Sequence, residues 1–273
     1  MLVRVEVRTR QGALLDLPFE DPSSGLAITE IEGLSPTKAT MVSTSYAQGD
    51  GEQYHSSRRE PRDIKIKMDL NPDYVSNSVE DLRNRLYSFL MPKSEVMLRF
   101  HKHTGLYVDI WGRVETFDAP IFTAEPTADV SLRCFNPDFF DPNPVPLSGT
   151  STELETETLF TYVGSVDTGV TFELRPNRDI STFTIYHRPP DGTLRTVDFA
   201  YPMVADDKLR ISSVFGAKSV TLIRGGVETS VLHGLSPQSD WLKLQPGNNN
   251  LRVYATGLPV PYTLSFLKRY GGL

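Results

Sequence analysis

Cysteine is nearly absent from this sequence, since Cys134 is the only one among 273 residues. A disulfide within the chain is therefore impossible, and redox motifs or zinc sites built from several cysteines are excluded. Cys134 shares the apolar phase of its segment with Val130 and Leu132. We therefore expect an inert, buried thiol here and not a nucleophile.

Long apolar runs are also lacking. No segment approaches the roughly 18 consecutive apolar residues that a membrane-spanning helix requires. Residues 1–7 alternate apolar and polar side chains, which is typical of a β-strand and not of a signal peptide. The expected protein is soluble and is made in a reducing cytoplasm.

An excess of positive charge is missing as well. The formal net charge is −6 and the pI is near 5.4, which argues against a general nucleic-acid binder. The nearest basic group, Arg58 and Arg59 with Arg62, is interrupted by Glu60 and Pro61. Hydrophobic residues make up 39% of the chain, enough to bury a core, so wholesale disorder is not expected.

Candidate metal ligands are few. His101 and His103 lie two positions apart, so on a strand they would face the same side and could share a metal ion. No third ligand with a recognisable spacing accompanies them, and Gly105 indicates a hairpin tip. We expect two surface histidines and no metal or other cofactor.

The clustered carboxylates and Trp241 do not form a recognisable catalytic or ligand-binding group either. Asp206 with Asp207, and the glutamates at 153, 155 and 157, lack the pattern of a calcium loop, so we expect loop-tip and solvent-facing positions. Trp241 could be an aromatic platform for a sugar ring, but its apolar neighbours favour core packing. The chain is therefore expected not to be an enzyme.

Period-two alternation of apolar and polar residues dominates the first half of the chain. Such segments predict strands with one buried and one wetter face, as in an antiparallel sheet. They cover residues 3–7, 64–70, 96–100, 106–110 and 130–134.

One segment follows helical spacing instead. Val79, Leu82 and Leu86 are followed by Phe89 and Leu90, which predicts a helix over residues 79–91 with one apolar stripe on a sheet. Ser78 is the expected N-cap, with Asp81 three residues on as an approximate capping box, and Pro92 ends the helix.

A long polar stretch lies between the strand near residues 28–31 and the strand from residue 63. Its core, residues 43–61, is longer than an ordinary loop of a compact domain. We expect its flanks to form a projecting hairpin with the turn at Gly49-Asp50-Gly51.

The second half of the chain differs from the first. Four prolines within residues 136–146 cannot support a β-ladder, so we place the domain boundary there, with domains at 1–143 and 144–273. Short strands flank turns at 189–192, 225–226 and 246–249, a pattern typical of a β-sandwich or jelly roll.

The order of these parts resembles a known family. The segments that carry the resemblance are Ile31-Glu32-Gly33-Leu34-Ser35-Pro36, Asp50-Gly51-Glu52-Gln53-Tyr54, Arg62-Asp63-Ile64-Lys65-Ile66, and Leu132-Arg133-Cys134-Phe135-Asn136-Pro137-Asp138-Phe139. In the second half they are Asp206-Asp207-Lys208-Leu209-Arg210-Ile211 and Trp241-Leu242-Lys243-Leu244-Gln245-Pro246-Gly247-Asn248-Asn249. Together these segments resemble the distal tail proteins of siphophages, the family often called Dit.

The resemblance implies a mostly β protein of two domains. The N-terminal domain would be barrel-like or sandwich-like, with one helix and a long hairpin, and would join other copies in a ring, usually a hexamer. The C-terminal domain would be a galectin-like β-sandwich. The ring would join the tail tube protein to the baseplate hub or tail-associated lysin, with receptor-binding proteins as further candidate partners. The location would be the tail tip of the virion, after synthesis in the bacterial host cytoplasm.

The projecting hairpin is the candidate contact between subunits. Tyr54, Arg58 and Arg59 are the candidate residues, because Tyr and Arg are enriched where interfaces carry binding energy.

Two alternatives stay open. The first is a binding module, in which the C-terminal sandwich recognises a host-surface glycan or a receptor-binding protein. The His–Asn–Arg set of galectins, with its Trp and Glu, is not found around Trp241, so glycan binding is not implied by the resemblance. The second alternative is an enzyme, such as a glycosidase built on the sandwich.

Overall fold

The computed structural model describes residues 1–19, 24–121 and 123–273, which form two compact units. Unit 1 comprises Met1–Asp141 with Gly271–Leu273, and unit 2 comprises Pro142–Tyr270. The chain thus divides between Asp141 and Pro142, inside the proline-rich segment, and its last three residues return to unit 1. Both units consist mainly of strands, so the predicted mostly β fold is confirmed.

Unit 1 contains ten strands and one α-helix among the described residues. The elements are β1 (Leu2–Thr9), β2 (Leu14–Pro18), β3 (Leu26–Glu32), β4 (Ala39–Ser45), β5 (Glu52–Arg59), β6 (Arg62–Leu70), α1 (Val79–Leu90), β7 (Glu95–Lys102), β8 (Tyr107–Asp118), β9 (Thr127–Cys134) and β10 (Phe139–Phe140). An antiparallel sheet runs in the order β2-β1-β7-β8-β9-β6-β3, with β10 paired to β8. Among the strands that the structure describes, β4 and β5 pair only with each other.

The alternation in the sequence sets which face of this sheet is buried. One face of β6 and β9 lies in the core, where Ile64 is paired with Leu132 and Ile66 with Val130. Helix α1 packs against β1 and β6 and buries Leu82, Leu86 and Leu90.

Helix α1 begins and ends next to the residues from which its ends were predicted, Ser78 and Pro92. Ser78 Oγ accepts a hydrogen bond from Asp81 N at 3.2 Å, and Ser78 N donates to Asp81 Oδ2 at 2.9 Å, so the capping box is confirmed. The helix ends at Leu90, and Met91 is extended because the following Pro92 disfavours helical backbone before it. Among the described residues, no helix has the length and apolar content needed to cross a membrane.

Unit 2 consists of short strands. They are β11 (Val145–Thr150), β12 (Thr158–Tyr162), β13 (Thr168–Leu174), β14 (Ile180–Arg188), β15 (Arg195–Met203), β16 (Lys208–Ser212), β17 (Ser219–Arg224), β18 (Val227–Ser230), β19 (Lys243–Leu244), β20 (Gly247–Tyr254), β21 (Pro261–Phe266) and β22 (Arg269–Tyr270). One sheet runs β11-β21-β13-β16-β17-β18 with β19 on β13, and the other runs β12-β20-β14-β15.

Side chains from both sheets of unit 2 share one core, as in a β-sandwich. Phe172 of β13 stacks on Phe183 of β14 with ring centroids 6.0 Å apart. Trp241 lies at the margin of this core: it is half-buried, and Lys218 Nζ lies 5.2 Å from the centroid of its ring.

The turn predicted at 246–249 is wrong. Strand β20 begins at Gly247, and Asn249 pairs with Phe160 of β12. The Asn249 side chain is fully buried, donates to the carbonyls of Gln245 and Gly247, and lies 3.1 Å from His187 Nε2. Because these partners satisfy the amide, a turn-forming residue type is held inside a strand.

Candidate functional site

The hairpin of β4 and β5 stands apart from the main sheet of unit 1. Its register runs from Ala39 opposite Arg59 to Ser45 opposite Glu52, and residues 46–51 form the tip. Every residue of β5 is exposed, and so is every residue of β4 from Met41 onward. The projecting hairpin predicted from the polar stretch is therefore present.

Polar contacts hold the two strands together where no core does. Ser43 Oγ donates to Glu52 Oε2 at 2.5 Å, and Thr44 Oγ1 lies 2.6 Å from His55 Nε2. Such cross-strand pairs stabilise a sheet modestly, and an isolated two-stranded hairpin is only marginally stable in water. The hairpin therefore depends on how its base is attached.

An ion pair fixes the base of the hairpin. Arg59, the last residue of β5, donates through both terminal nitrogens to Asp138, with Nη2 3.0 Å from Oδ2. Asp138 is 5% exposed, so this carboxylate is held in a nearly dry setting. On the opposite strand Thr40 Oγ1 donates to Glu60 Oε1 at 2.5 Å. The hairpin therefore leaves unit 1 in a defined direction.

A buried arginine organises the chain beneath that base. Arg62 Nε donates to Pro137 O at 2.8 Å, and Nη1 donates to Ser35 O at 2.6 Å. The remaining donors reach Gly33 O and Gly271 O, and the guanidinium carbon lies 4.4 Å from the centroid of the Phe139 ring. Burial lowers the pKa of Arg62 below its ordinary value. This side chain thus joins β6 to three other stretches of unit 1.

The three candidate contact residues have different settings. Tyr54 is 60% exposed and its hydroxyl lies 2.8 Å from Ser57 Oγ. Arg58 is exposed opposite Thr40. Arg59 is turned to Asp138 of its own chain. Tyr54 and Arg58 are therefore both exposed, while Arg59 binds Asp138 at the base of the hairpin.

Apolar residues on the hairpin were missed by the sequence reasoning. Met41, Val42 and Tyr46 are 69%, 52% and 55% exposed. The signal was present as an adjacent Met–Val pair inside a polar stretch. Three exposed apolar side chains on one projecting hairpin make it a candidate protein-binding surface.

The histidine pair does not come together as metal ligands. His101 Nε2 lies 2.7 Å from Glu6 Oε1, and His103 is exposed in the turn after β7. Glu6 is also paired with Arg4 and Arg8; burial opposes its ionisation, but the Arg8 hydrogen bond and the surrounding cations lower its pKa. Within the ranges described, no three His, Cys, Asp or Glu side chains are grouped to hold a metal ion.

The Cys134 side chain is part of the buried core of unit 1. Cys134 is fully buried, and burial raises the pKa of its thiol to about 12.

Asp207 was expected at the solvent face, and this is wrong: it is 3% exposed. Its oxygens accept from Arg224 Nε at 2.9 Å and Nη2 at 2.7 Å, and Oδ2 also accepts from Val204 N. The carboxylate is buried because three donors replace water.

Unit 2 carries a cavity of about 400 Å³ beside strands β14 and β15. Its polar lining includes Thr184, Asp198 and His233, and its apolar lining includes Phe199. Thr184 Oγ1 donates to Asp198 Oδ1 at 2.8 Å, which orients that carboxylate. The cavity offers an acceptor beside an aromatic ring, a combination suited to binding a polar ligand.

Comparison with known proteins gives one family and several structures. Residues 163–270 match the family described as siphovirus-type tail component, C-terminal domain. The SPP1 Dit protein is 16% identical, with a TM-score of 0.71 over 97% of this chain and 98% of that chain. A chain of the phage P2 baseplate in its activated conformation with Ca is 7% identical, with a TM-score of 0.55 over 100% of both chains. No curated protein sequence matches the chain.

Proposed function

We propose that the chain is a non-enzymatic structural protein of a phage tail tip, on the premise that its residues 163–270 match the siphovirus-type tail component family, C-terminal domain. The fold supports this role, because the chain can be superposed over nearly its whole length on SPP1 Dit and on a P2 baseplate chain. The SPP1 protein is described as a paradigm of the hub adsorption apparatus in phages that infect Gram-positive bacteria.

The observation that carries the proposal is the exposed hairpin. A two-stranded projection with exposed Met41, Val42 and Tyr54 does not gain its stability from its own core. Its base is held by Arg59 and Asp138, so it is presented in a fixed direction and not as a loose loop. We infer that the hairpin packs on a neighbouring copy of the chain.

A contact of this kind joins different surfaces of two copies. Such head-to-tail contacts close into a ring when the rotation between copies closes. In our proposal unit 1 forms a ring, with a hexamer as the expected form. One face of the ring meets the tail tube, and the other meets the baseplate hub or tail-associated lysin. In the same proposal unit 2 is a galectin-like β-sandwich domain.

Shortening the hairpin tests the ring. Replacing residues 41–57 with a short Gly-Ser linker removes the projection, because Thr40 and Arg58 face each other at its base, and it keeps Arg59 beside Asp138. We expect the natural chain to form a ring of countable subunits in negative-stain micrographs and multi-angle light scattering, and the shortened chain to be monomeric. A matched control shortens the exposed turn after β7 at residues 103–105 and leaves the ring intact. A shortened chain of unchanged mass would exclude the hairpin as the ring contact.

A second candidate function rests on the cavity of unit 2. The Asp198 carboxylate and the Phe199 ring favour a polar ligand with an apolar face, such as a host-surface sugar, or a side chain of a receptor-binding protein. A glycan array and a pull-down with tail proteins, both with the full chain, test this function. Binding that Asp198→Ala abolishes would support it, and signals at background would remove it.

A further inference from the structure

A groove of about 550 Å³ lies beside α1 in unit 1. Its described walls come from Tyr74, from one side of the helix and from Ile121 with residues 123–126, and the helix contributes Val79, Glu80, Arg83, Asn84 and Tyr87. The groove is thus partly aromatic. The ring proposal above names the hairpin but not the surface of the neighbouring copy that receives it.

Arg83 lies in this groove with unused donors. The residue is 9% exposed, its Nη2 donates to Pro120 O at 3.1 Å, and its Nε has no hydrogen-bond partner. Among the ion pairs of the described residues, none involves Arg83. Glu80 lines the same groove, but no ion pair of the described residues joins it to Arg83. A buried guanidinium without a paired acid is costly, and the group that satisfies it best is a carboxylate, which matches its planar fork.

The rim of the groove is apolar and open. Tyr74 and Ile121, which line the groove, are 79% and 71% exposed. An apolar rim around a buried cation is complementary to a segment that carries an aromatic or aliphatic side chain next to an acidic one.

The hairpin tip has this composition. Residues 46–51 contain Tyr46, which is 55% exposed, and Asp50, which is exposed and lies at the turn. The seven residues of β4 carry the tip about 23 Å from the hairpin base at roughly 3.3 Å per residue. The described residues that line the groove include none from the tip of the same chain.

We propose that the hairpin tip of one copy occupies the α1 groove of the next copy. Asp50 supplies the carboxylate for Arg83, and Tyr46 packs on Tyr74 and Ile121. This inference rests on the proposed ring and names the surface that receives the hairpin. Because tip and groove are different surfaces of one chain, the contact is head-to-tail.

Exchanging the two charges tests the pair. We expect Arg83→Glu and Asp50→Arg each to weaken assembly roughly tenfold or more, as truncating one partner of a desolvated charge pair does. The double variant should regain the mass of the natural oligomer in light scattering. Arg85→Glu is the control on the same helix, since Arg85 is exposed outside the groove, and it should assemble normally. Failure of the double variant to recover, with circular dichroism unchanged, would overturn the pairing.

Disulfide trapping tests the contact without touching Arg83. A chain with Asp50→Cys is mixed with a chain carrying Asn84→Cys; both positions are exposed, and the buried Cys134 does not compete. We expect a reducible dimer of the two variants to form faster than with Arg85→Cys in place of Asn84→Cys.

The outcomes separate this inference from the ring itself. Equal trapping at positions 84 and 85, while the shortened hairpin still abolishes the ring, would place the tip elsewhere and leave the ring proposal standing. A natural chain that never assembles would contradict both. Assembly unaffected by the charge exchange, with an acidic segment of another tail protein bound at Arg83, would assign the groove to that protein and overturn the proposal.

Discussion

Arg59 and Asp138 are 79 residues apart in the sequence and form a two-point ion pair at the base of the hairpin, with Arg59 Nη2 3.0 Å from Asp138 Oδ2. The carboxylate is buried and the guanidinium is partly open to solvent. This pair ties the last residue of β5 to the segment between β9 and β10. The direction of a surface projection therefore depends on a contact inside unit 1.

Removing the guanidinium tests that dependence. We expect Arg59→Met to lower the free energy of unfolding by about 1–2 kcal/mol, less than for a fully buried pair because solvent screens part of the charge. Arg58→Met, one residue earlier and without a buried partner, should change it by less than about 0.5 kcal/mol. Urea unfolding at concentrations where the chain is monomeric measures both. Equal effects would show that the pair does not hold the hairpin base.

Alanine substitutions at two glycines with positive φ distinguish the cost of a steric clash from the cost of backbone strain. Gly33 has φ +87°, and a Cβ there would lie 2.0 Å from Asp63 O. Gly105 has φ +78° with nothing within 4 Å. We expect Gly105→Ala to cost about 1–2 kcal/mol from backbone conformation alone. Gly33→Ala should cost about 1–3 kcal/mol more, because β3 must move away from β6. Thermal unfolding of the two variants would contradict this reading if their losses were the same.

Cys134 should resist thiol reagents in the folded chain. Its pKa of about 12 leaves roughly one thiolate in ten thousand at pH 8, and the sulfur is buried. We expect no measurable reaction with Ellman's reagent over an hour, and complete reaction in 6 M guanidinium chloride. Rapid labelling of the folded chain would mean that β9 opens easily, and labelling rates in intermediate denaturant measure that opening.

Asp207 links stability to pH. Its hydrogen bond from Arg224 lowers its pKa in the folded chain, whereas in the unfolded chain the pKa stays near 3.9. The stabilisation is therefore present above about pH 4 and is lost as the pH falls through the folded-state pKa. We expect Asp207→Asn to be less stable than the natural chain at pH 7, with the difference shrinking below pH 4. A difference that stays constant from pH 7 to pH 3 would rule out the ionised carboxylate as its source.

Local features of this protein follow from short stretches of sequence. The strands at residues 3–7, 64–70, 96–100, 106–110 and 130–134, the helix with its cap at Ser78 and the exposed hairpin were predictable, because each depends on a pattern within one short segment. The match of residues 163–270 to a siphovirus-type tail component confirms the resemblance to distal tail proteins. The hexameric ring and the galectin-like sandwich stay predictions.

Pairings over long distances were not predictable in the same way. Asp207 was expected at the surface, but Arg224 on the neighbouring strand makes its burial favourable. The segment at 246–249 was expected to turn, but the buried contacts of Asn249 hold it in β20. In both cases the polar residue type predicts an exposed side chain. The side chain is buried instead, because partners within the fold replace its hydrogen bonds to water.

What the sequence determined by itself is which residues can form strands, which face of each strand is apolar, and where the chain projects. Only the tertiary structure decided that Arg59 turns inward to Asp138, that Arg62 joins Ser35, Pro137 and Gly271, and that Arg83 keeps an unpaired Nε in a groove. The reason is physical. The sequence places an arginine on the chain, but the tertiary fold determines which acceptor, distant in sequence, lies within reach of its guanidinium.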